Sequence, residues 1–393
     1  MAGSTSVSNI ARYDISGGTW TALGSGLGNT FGHNISALCV YNGALYAGGN
    51  FTTSTNAPSN YIAKWDGTSW TGVSTGLSGG TTVSALIVFN NLLFVGGNFL
   101  QTPVGACHYV AMWNSTTSTW SVPTSINNSS VFCFAIHNAE LYLGGSVPTY
   151  IYKWVVATSS WTPIANSFGS SGAWIQSMAS YGGNLYASGL FTAGSFNGIA
   201  KWNGSTWTSC GTGFSTNAFA YALTPLAGRL YAGGSFTDAG GTGAKYLASW
   251  SSTTSTWALG VVGNSVLGTV NAFDTVTSPK TLYAGGSFTG PFSRIMKSNS
   301  LVGIEEESLP DESVSIYPNP ASDNIFISLK TELKNPRVEI YNVAGERIYS
   351  DALTSRQKSV NIRTYAAGIY FVKITSTDEN AGVKVLTKKI VVE

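Results

Sequence analysis

Between Ile35 and Phe288 the chain alternates short apolar runs with clusters of Gly, Asn, Ser and Thr. One apolar, glycine-broken phrase recurs through it. "LYAGGNFTT" begins at Leu45, and close copies follow: "LFVGGNFLQ" from Leu93, "LYLGGSVPT" from Leu141, "LYASGLFTA" from Leu185, "LYAGGSFTD" from Leu230 and "LYAGGSFTG" from Leu282. The first small residue of each is Gly48, Gly96, Gly144, Ser188, Gly233 and Gly285, giving steps of 48, 48, 44, 45 and 52 residues. A period of this length, made of strand-sized runs separated by turn residues, predicts the blades of a β-propeller.

Each repeat divides into four runs. In the second they are "VSALIVF", "LLFVGGNF", "YVAMWN" and "STWSVP", rich in β-branched and aromatic residues and bounded by "NN" and "NSTTS". The first two runs are almost wholly apolar, as strands are when both faces are covered by neighbouring blades. Small residues at Ala37, Ala85, Cys133, Ser177, Ala222 and Ala272 keep a column in the first strand. The third and fourth runs carry paired Trp at 65/70, 113/120, 154/161, 202/207 and 250/257. The N-terminal "NIARYDISGGTWTALG" repeats that unit with Tyr13 and Trp20 but has no first or second strand before it. The last phrase has "VNAFDTV" and "TLYAGGSF" but no Trp pair after it. The two halves complement one another, which predicts a six-bladed propeller whose N-terminal hairpin completes the last blade and removes both sheet edges.

The pattern "LYAGG.F…(I/L)AKWDG..W" resembles the galactose-oxidase-like and kelch-like propeller repeats over about residues 9–297. That resemblance implies architecture and leaves activity open, because propellers host unrelated functions.

Composition changes at the end of the repeats. Only 10% of the 393 residues are charged, against roughly 25% in an average soluble domain. Residues 1–300 hold five acidic groups (Asp14, Asp66, Glu140, Asp238 and Asp274) and nine Lys or Arg; the remainder holds thirteen acids, eleven bases and no Trp. The acidic "GIEEESLPDES" (303–313) reads as a linker. The division is therefore a propeller over 1–297, a linker over 298–312 and a second domain over 313–393. A net charge of +2 without Lys/Arg clusters argues against nucleic acid as a partner. No apolar run is long enough for a membrane span. The first thirty residues lack the basic start and apolar core of a signal peptide, and "NIARYD" begins in mid-blade, so the chain reads as a truncated or mature form.

Beyond the linker about seven short alternating strands, from "SVSIYPNP" to "VKVLTKKIVV", predict a β-sandwich. "SIYPNPASDNIFI" (315–327), "VEIYNVAGERIYS" (338–350), "AAGIYFVKI" (366–374) and "TKKIVV" (387–392) resemble the Bacteroidetes type IX secretion (Por secretion) C-terminal sorting domain, type A. The resemblance implies export to the outer-membrane surface or medium and the type IX machinery as partner. Its motif residues fall on Tyr317, Pro318, Asn319, Pro320, Gly345, Gly368, Tyr370, Lys388 and Lys389.

Chemistry in the repeats is sparse. His33, Trp174 and Phe214 fall in or beside loops entering a blade, and His108 and Asp238 in loops between second and third strands. Asp274 is a charge in an otherwise neutral first-strand column. These six are the candidate ligand-binding residues for a glycan or protein. A glycosidase needs two carboxyl groups within about 5–10 Å, and only Asp238 and Asp274 offer themselves. Cys/His spacings of the zinc type are absent, and no metal, cofactor or catalytic residue is assigned. The four Cys permit three pairings, with Cys39 and Cys133 read as buried free thiols. The reading is a secreted or surface binding or scaffold propeller. The alternatives are an extracellular hydrolase or lyase using Asp238, Asp274, His33 and His108, or a structural surface-layer component.

Overall fold

The computed structural model describes the chain outside residues 1–5, 15–16, 29–31, 53–58, 125, 127–129, 147–149, 165–167, 169–172, 192–195, 261–267, 278–279, 289–294, 299–306, 309–313, 331–332, 334, 343–346 and 379–381. The architecture is all-β, in two compact units, 1–301 and 302–393.

Among its described residues the first unit holds a series of six antiparallel sheets of three or four strands, with strands in chain order, besides two two-stranded hairpins. Sheet one is Ile35–Tyr41, Ala44–Gly49, Ile62–Trp65 and Trp70–Gly72; sheet two Thr82–Phe89, Leu92–Asn98, Val110–Asn114 and Thr119–Ser121; sheet three Val131–His137, Glu140–Gly145, Ile151–Val155 and Ser160–Pro163. Sheet four is Trp174–Tyr181, Asn184–Leu190, Ile199–Trp202 and Trp207–Ser209, and sheet five Ala220–Leu226, Arg229–Gly234, Leu247–Ser251 and Thr256–Leu259. Sheet six has three strands, Gly268–Thr277, Lys280–Phe288 and Ile295–Ser298. The first strands of successive sheets pack side by side from one to six. The paired Trp stand directly opposite one another across strands three and four, with ring centroids 5.0–5.4 Å apart.

The two small residues of each phrase have different duties. A Cβ on the first would strike the next sheet: Gly48 faces Val83 and Leu86, Gly96 faces Val131 and Phe134, Gly144 faces Ile175, and Gly233 faces Val270 and Phe273. Glycine there lets neighbouring first strands close in. Ser188 replaces it once, and its hydroxyl donates to Gly198 O at 2.6 Å and accepts the Ala220 N–H at 2.8 Å. The second residue is Gly in all six repeats (Gly49, Gly97, Gly145, Gly189, Gly234 and Gly286). A Cβ on any of them would overlap a carbonyl at the start of the first strand of its own sheet or of the residue just before it. Opposite that glycine every first strand bulges by one residue: Ser36, Ser84, Phe132, Gln176, Tyr221 and Asn271 drop out of the ladder.

The ends of the series differ from the predicted closure. Sheet six supplies its own third strand: Ile295–Ser298 pairs with Leu282–Gly285 in the register in which Ile62–Trp65 pairs with Leu45–Gly48. It escapes sequence reading because Ser298 stands where the other repeats have Trp. The N-terminal hairpin, Ala11–Asp14 with Thr19–Ala22, places Tyr13 opposite Trp20. Among the described residues no strand pairing joins it to sheet six. The first strand of sheet one leaves Leu38 53% and Val40 68% exposed, and Gly285 is half-exposed where its counterparts are buried.

In the second unit the seven expected strands form two sheets. One runs Gly382–Val392, Gly368–Asp378, Arg337–Asn342, Arg347–Ala352, with Glu307–Ser308 added in parallel to Gly382–Val392; the other runs Val314–Tyr317, Asn324–Leu329, Gln357–Asn361. Alternation decides which residues face inward: Ile325, Ile327, Val338, Ile340, Ile362, Val372, Ile374 and Ile390 are all 0% exposed.

Candidate functional site

The six ligand-binding candidates do not gather into one site. Phe214 is core: 4% exposed, its ring lies parallel to Phe236 at 4.5 Å and against Trp257 at 5.1 Å. Its ring is spent on the packing of sheet five, against the loop after the second strand and against the fourth strand. Asp238 is held by its own loop, its carboxylate accepting the N–H groups of Gly241 at 2.7 Å and Gly243 at 2.6 Å. A side chain so engaged caps its own loop. Asp274 is exposed on the first strand of sheet six and accepts the Thr275 N–H at 2.8 Å. His108 is exposed at φ +43° beside the buried Cys107. His33 is half-buried in the loop entering sheet one, against Gly28. Among the described residues no three His, Cys, Asp or Glu are placed to hold a metal ion.

Trp174 does take part in a surface. Half-buried at the start of its strand, it meets Phe219 edge-on at 5.9 Å, and Phe219 meets Tyr221 at 5.0 Å. Tyr221 is the bulged residue of sheet five, so the three rings form a ledge from sheet four to sheet five. Sequence reading found Trp174 as a lone extra Trp and missed its partners. The signal available was the second glycine, which marks where each first strand is forced to bulge.

The cysteines are free thiols: Cys107 and Cys210 are buried, Cys39 and Cys133 half-buried. Burial pushes the thiols of Cys107 and Cys210 up to about 12, so neither is a nucleophile near neutral pH. His137 is a joint between sheets. It is 3% exposed, its Nδ1 lies 2.9 Å from Ser180 Oγ, and its Nε2 lies 3.2 Å from Asn138 Nδ2. Burial lowers its pKa, partly offset by Glu140, whose own carboxylate is held low by Lys153 at 3.0 Å and by the Tyr142 hydroxyl at 2.8 Å.

The second unit brings together motif residues that are far apart in sequence. Asn319 Oδ1 accepts the Val391 N–H at 2.8 Å, and its Nδ2 donates to Lys389 O at 3.0 Å. Ala321 N–H donates to Val391 O at 2.9 Å, and the Glu393 N–H to Ala321 O at 3.0 Å. The "YPNPA" turn thus clamps the last residues of the chain. Tyr317 is 44% exposed, lies across Phe326 at 5.8 Å and accepts a hydrogen bond from Gln357 Nε2 at 2.6 Å. Tyr370 is 8% exposed and donates to Ala366 O at 2.8 Å, while Gly368 has open space where a Cβ would stand. Lys389 is exposed and Lys388 half-buried; Gly345 lies outside the described residues.

Residues 315–393 match the model of the secretion system C-terminal sorting domain. An endo-acting ulvan lyase of Formosa agariphila is 32% identical over 82 residues, 20% of this chain and 15% of the lyase. This chain therefore spans only a small part of that relative. Among solved structures, PorZ, a surface component of the type IX secretion system of Porphyromonas gingivalis, is similar at TM-score 0.43 and 15% identity, over 95% of this chain and 61% of PorZ. A chain of the mitotic checkpoint complex is similar at TM-score 0.44 and 12% identity, over 90% of this chain and 89% of that one. Likenesses at this level assign no activity. Within the described residues no helix is long and apolar enough to cross a membrane. The strand order, the clamp at Asn319 and the family match converge on one statement: residues 315–393 are a type IX secretion C-terminal sorting domain, carried by a secreted or cell-surface protein.

Proposed function

We propose that the six-sheet unit is a binding or scaffold module, a six-bladed propeller of the galactose-oxidase-like and kelch-like kind, presented outside the cell by its sorting domain. The observation that carries this is the junction of the "YPNP" turn with the last strand through Asn319, which gives the C-terminus a defined face for the secretion machinery to read. The chemistry of the sheets supports binding over turnover. Of the two carboxylates a glycosidase would need, Asp238 is spent on its own loop, and Asp274 sits on the first strand of another sheet. The closed ring draws support from the way each first glycine receives the next sheet, a fit that the half-exposed Gly285 and the exposed Leu38 can complete between them.

Export is tested by expressing the full chain, behind a Sec signal, in a Bacteroidetes host. The protein is expected at the surface or in the medium. Removal of residues 302–393, or loss of the type IX machinery, is expected to hold it in the periplasm. Equal export without those residues rules the assignment out.

A further inference from the structure

All six first strands bulge at the same place, and the residue that stands there differs from repeat to repeat. The second glycine of every phrase is needed because a Cβ would overlap a carbonyl at or just before the start of the first strand, so all six sheets are obliged to carry an extra residue at the same height. A bulge lifts one side chain out of the strand's regular alternation and re-aims it. Here it stands between packed neighbours: Ser84 between the buried Val83 and Ala85, Gln176 between Ile175 and Ser177, and Tyr221 after Ala220. The bulged residues themselves are all at least partly exposed. Because adjacent first strands pack side by side, equal heights place these six side chains in one row.

The row is chemically consistent although no residue dominates it. It holds two aromatics, Phe132 and Tyr221; two amides, Gln176 and Asn271; and two hydroxyls, Ser36 and Ser84. None is charged. Tyr221 is continuous with Phe219 and Trp174 through ring contacts of 5.0 and 5.9 Å, which extends the aromatic surface beyond the row itself. Aromatic faces pack on the C–H faces of pyranose rings, while amides and hydroxyls exchange hydrogen bonds with sugar hydroxyls. A polyanion would instead call for Lys or Arg, and a cationic peptide for carboxylates; the row offers neither.

We propose that the bulged residues Ser36, Ser84, Phe132, Gln176, Tyr221 and Asn271, with the Trp174–Phe219 ledge, form a binding site for a neutral oligosaccharide. This rests on the reading of the sheet unit as a binding module and names its ligand class. The constant backbone supplies position and the varied side chain supplies recognition, as on other rigid scaffolds that present functional loops.

The test is calorimetric binding of the full chain to laminarin, xylan and galactomannan as neutral polymers, with alginate as the acidic one. Binding to at least one neutral polymer is expected, with alginate at least tenfold weaker. Tyr221→Ala and Gln176→Ala are each expected to weaken it at least tenfold with far-ultraviolet circular dichroism unchanged. Gln176 is chosen because its loss removes no ring from the packing. Binding that both variants retain overturns the site while leaving the module reading intact. Absence of binding to every neutral polymer overturns the ligand class, and the module reading then stands or falls separately on a screen of purified proteins.

Discussion

The indole nitrogen of Trp70 donates to the carbonyl of Leu23 at 3.2 Å, and that of Trp257 donates to the carbonyl of Cys210 at 2.9 Å. Leu23 lies three residues after Trp20, and Cys210 three after Trp207, so each bond joins the same two positions of consecutive units. The surroundings agree: the Leu27 N–H reaches Ser8 O at 3.0 Å as Phe214 reaches Asn197 at 2.8 Å, and Gly24 lies under Trp65 as Gly211 lies under Trp250. The N-terminal hairpin therefore stands to sheet one as the outer half of sheet four stands to sheet five. The first strand of sheet one leaves Leu38 and Val40 exposed.

That geometry makes ring closure measurable at Leu38. Val83 and Leu86 meet Gly48 of the sheet before them, as Val131 and Phe134 meet Gly96 and Val270 and Phe273 meet Gly233. If sheet six closes on sheet one, Gly285 takes that part, and Leu38→Lys places an unpaired charge in the joint. The expected loss is about 3 kcal/mol or more in chemical denaturation of the full chain, since burying such a charge is among the costliest single changes. An open series leaves Leu38 at the surface, where the substitution costs within about 0.5 kcal/mol. The second result would dispose of the ring.

His137 gives the fold a dependence on pH. Its folded pKa is lowered by burial, so in the window below the unfolded value, near 6.5, the unfolded chain takes up a proton that the folded chain resists. Stability is therefore full above that value and falls as the pH drops through the window. The carboxylates held low by partners, Glu140 by Lys153 and Asp323 by Arg363, lose their contribution only at more acid pH, below their unfolded values. Melting temperature is expected to fall between pH 7 and pH 5 in the native chain and to stay level over that interval in His137→Gln. An equal fall in both would move the effect to other groups.

Much of this architecture is legible in the amino-acid sequence. The six phrases, the Trp pairs and the seven strands of the second unit are legible because strand periodicity and cross-strand pairing are carried by residue type. Three features were not. The third strand of sheet six lost its mark when Ser298 took the place of Trp. Phe214, placed on a loop, looked available, but its ring lies parallel to that of Phe236 and is buried. The bulge left no trace in hydropathy, because an extra residue in an apolar strand changes the register and not the composition. Only the second glycine reported it, and its reason is a carbonyl at or just before the start of the neighbouring strand that no local pattern shows.

Asn319 offers the sharpest test of the sorting domain. It sits 72 residues before Val391, yet it supplies the acceptor for that residue's N–H and a donor for the Lys389 carbonyl. Both bonds are solvent-exposed, so each is worth about 1 kcal/mol and their loss acts on the last strand alone. Hydrogen exchange of the Val391 amide is expected to quicken about tenfold in Asn319→Ala, the rate ratio that roughly 1.4 kcal/mol of local stability implies. Asn319→Asp keeps the oxygen and loses the donor, so it is expected to retain most of the protection at Val391. Secretion of the full chain should follow the same order, native above Asp above Ala. If export tracks the motif's letters and not the clamp, Asp and Ala will fail alike while exchange at Val391 separates them, and the clamp is then incidental to recognition.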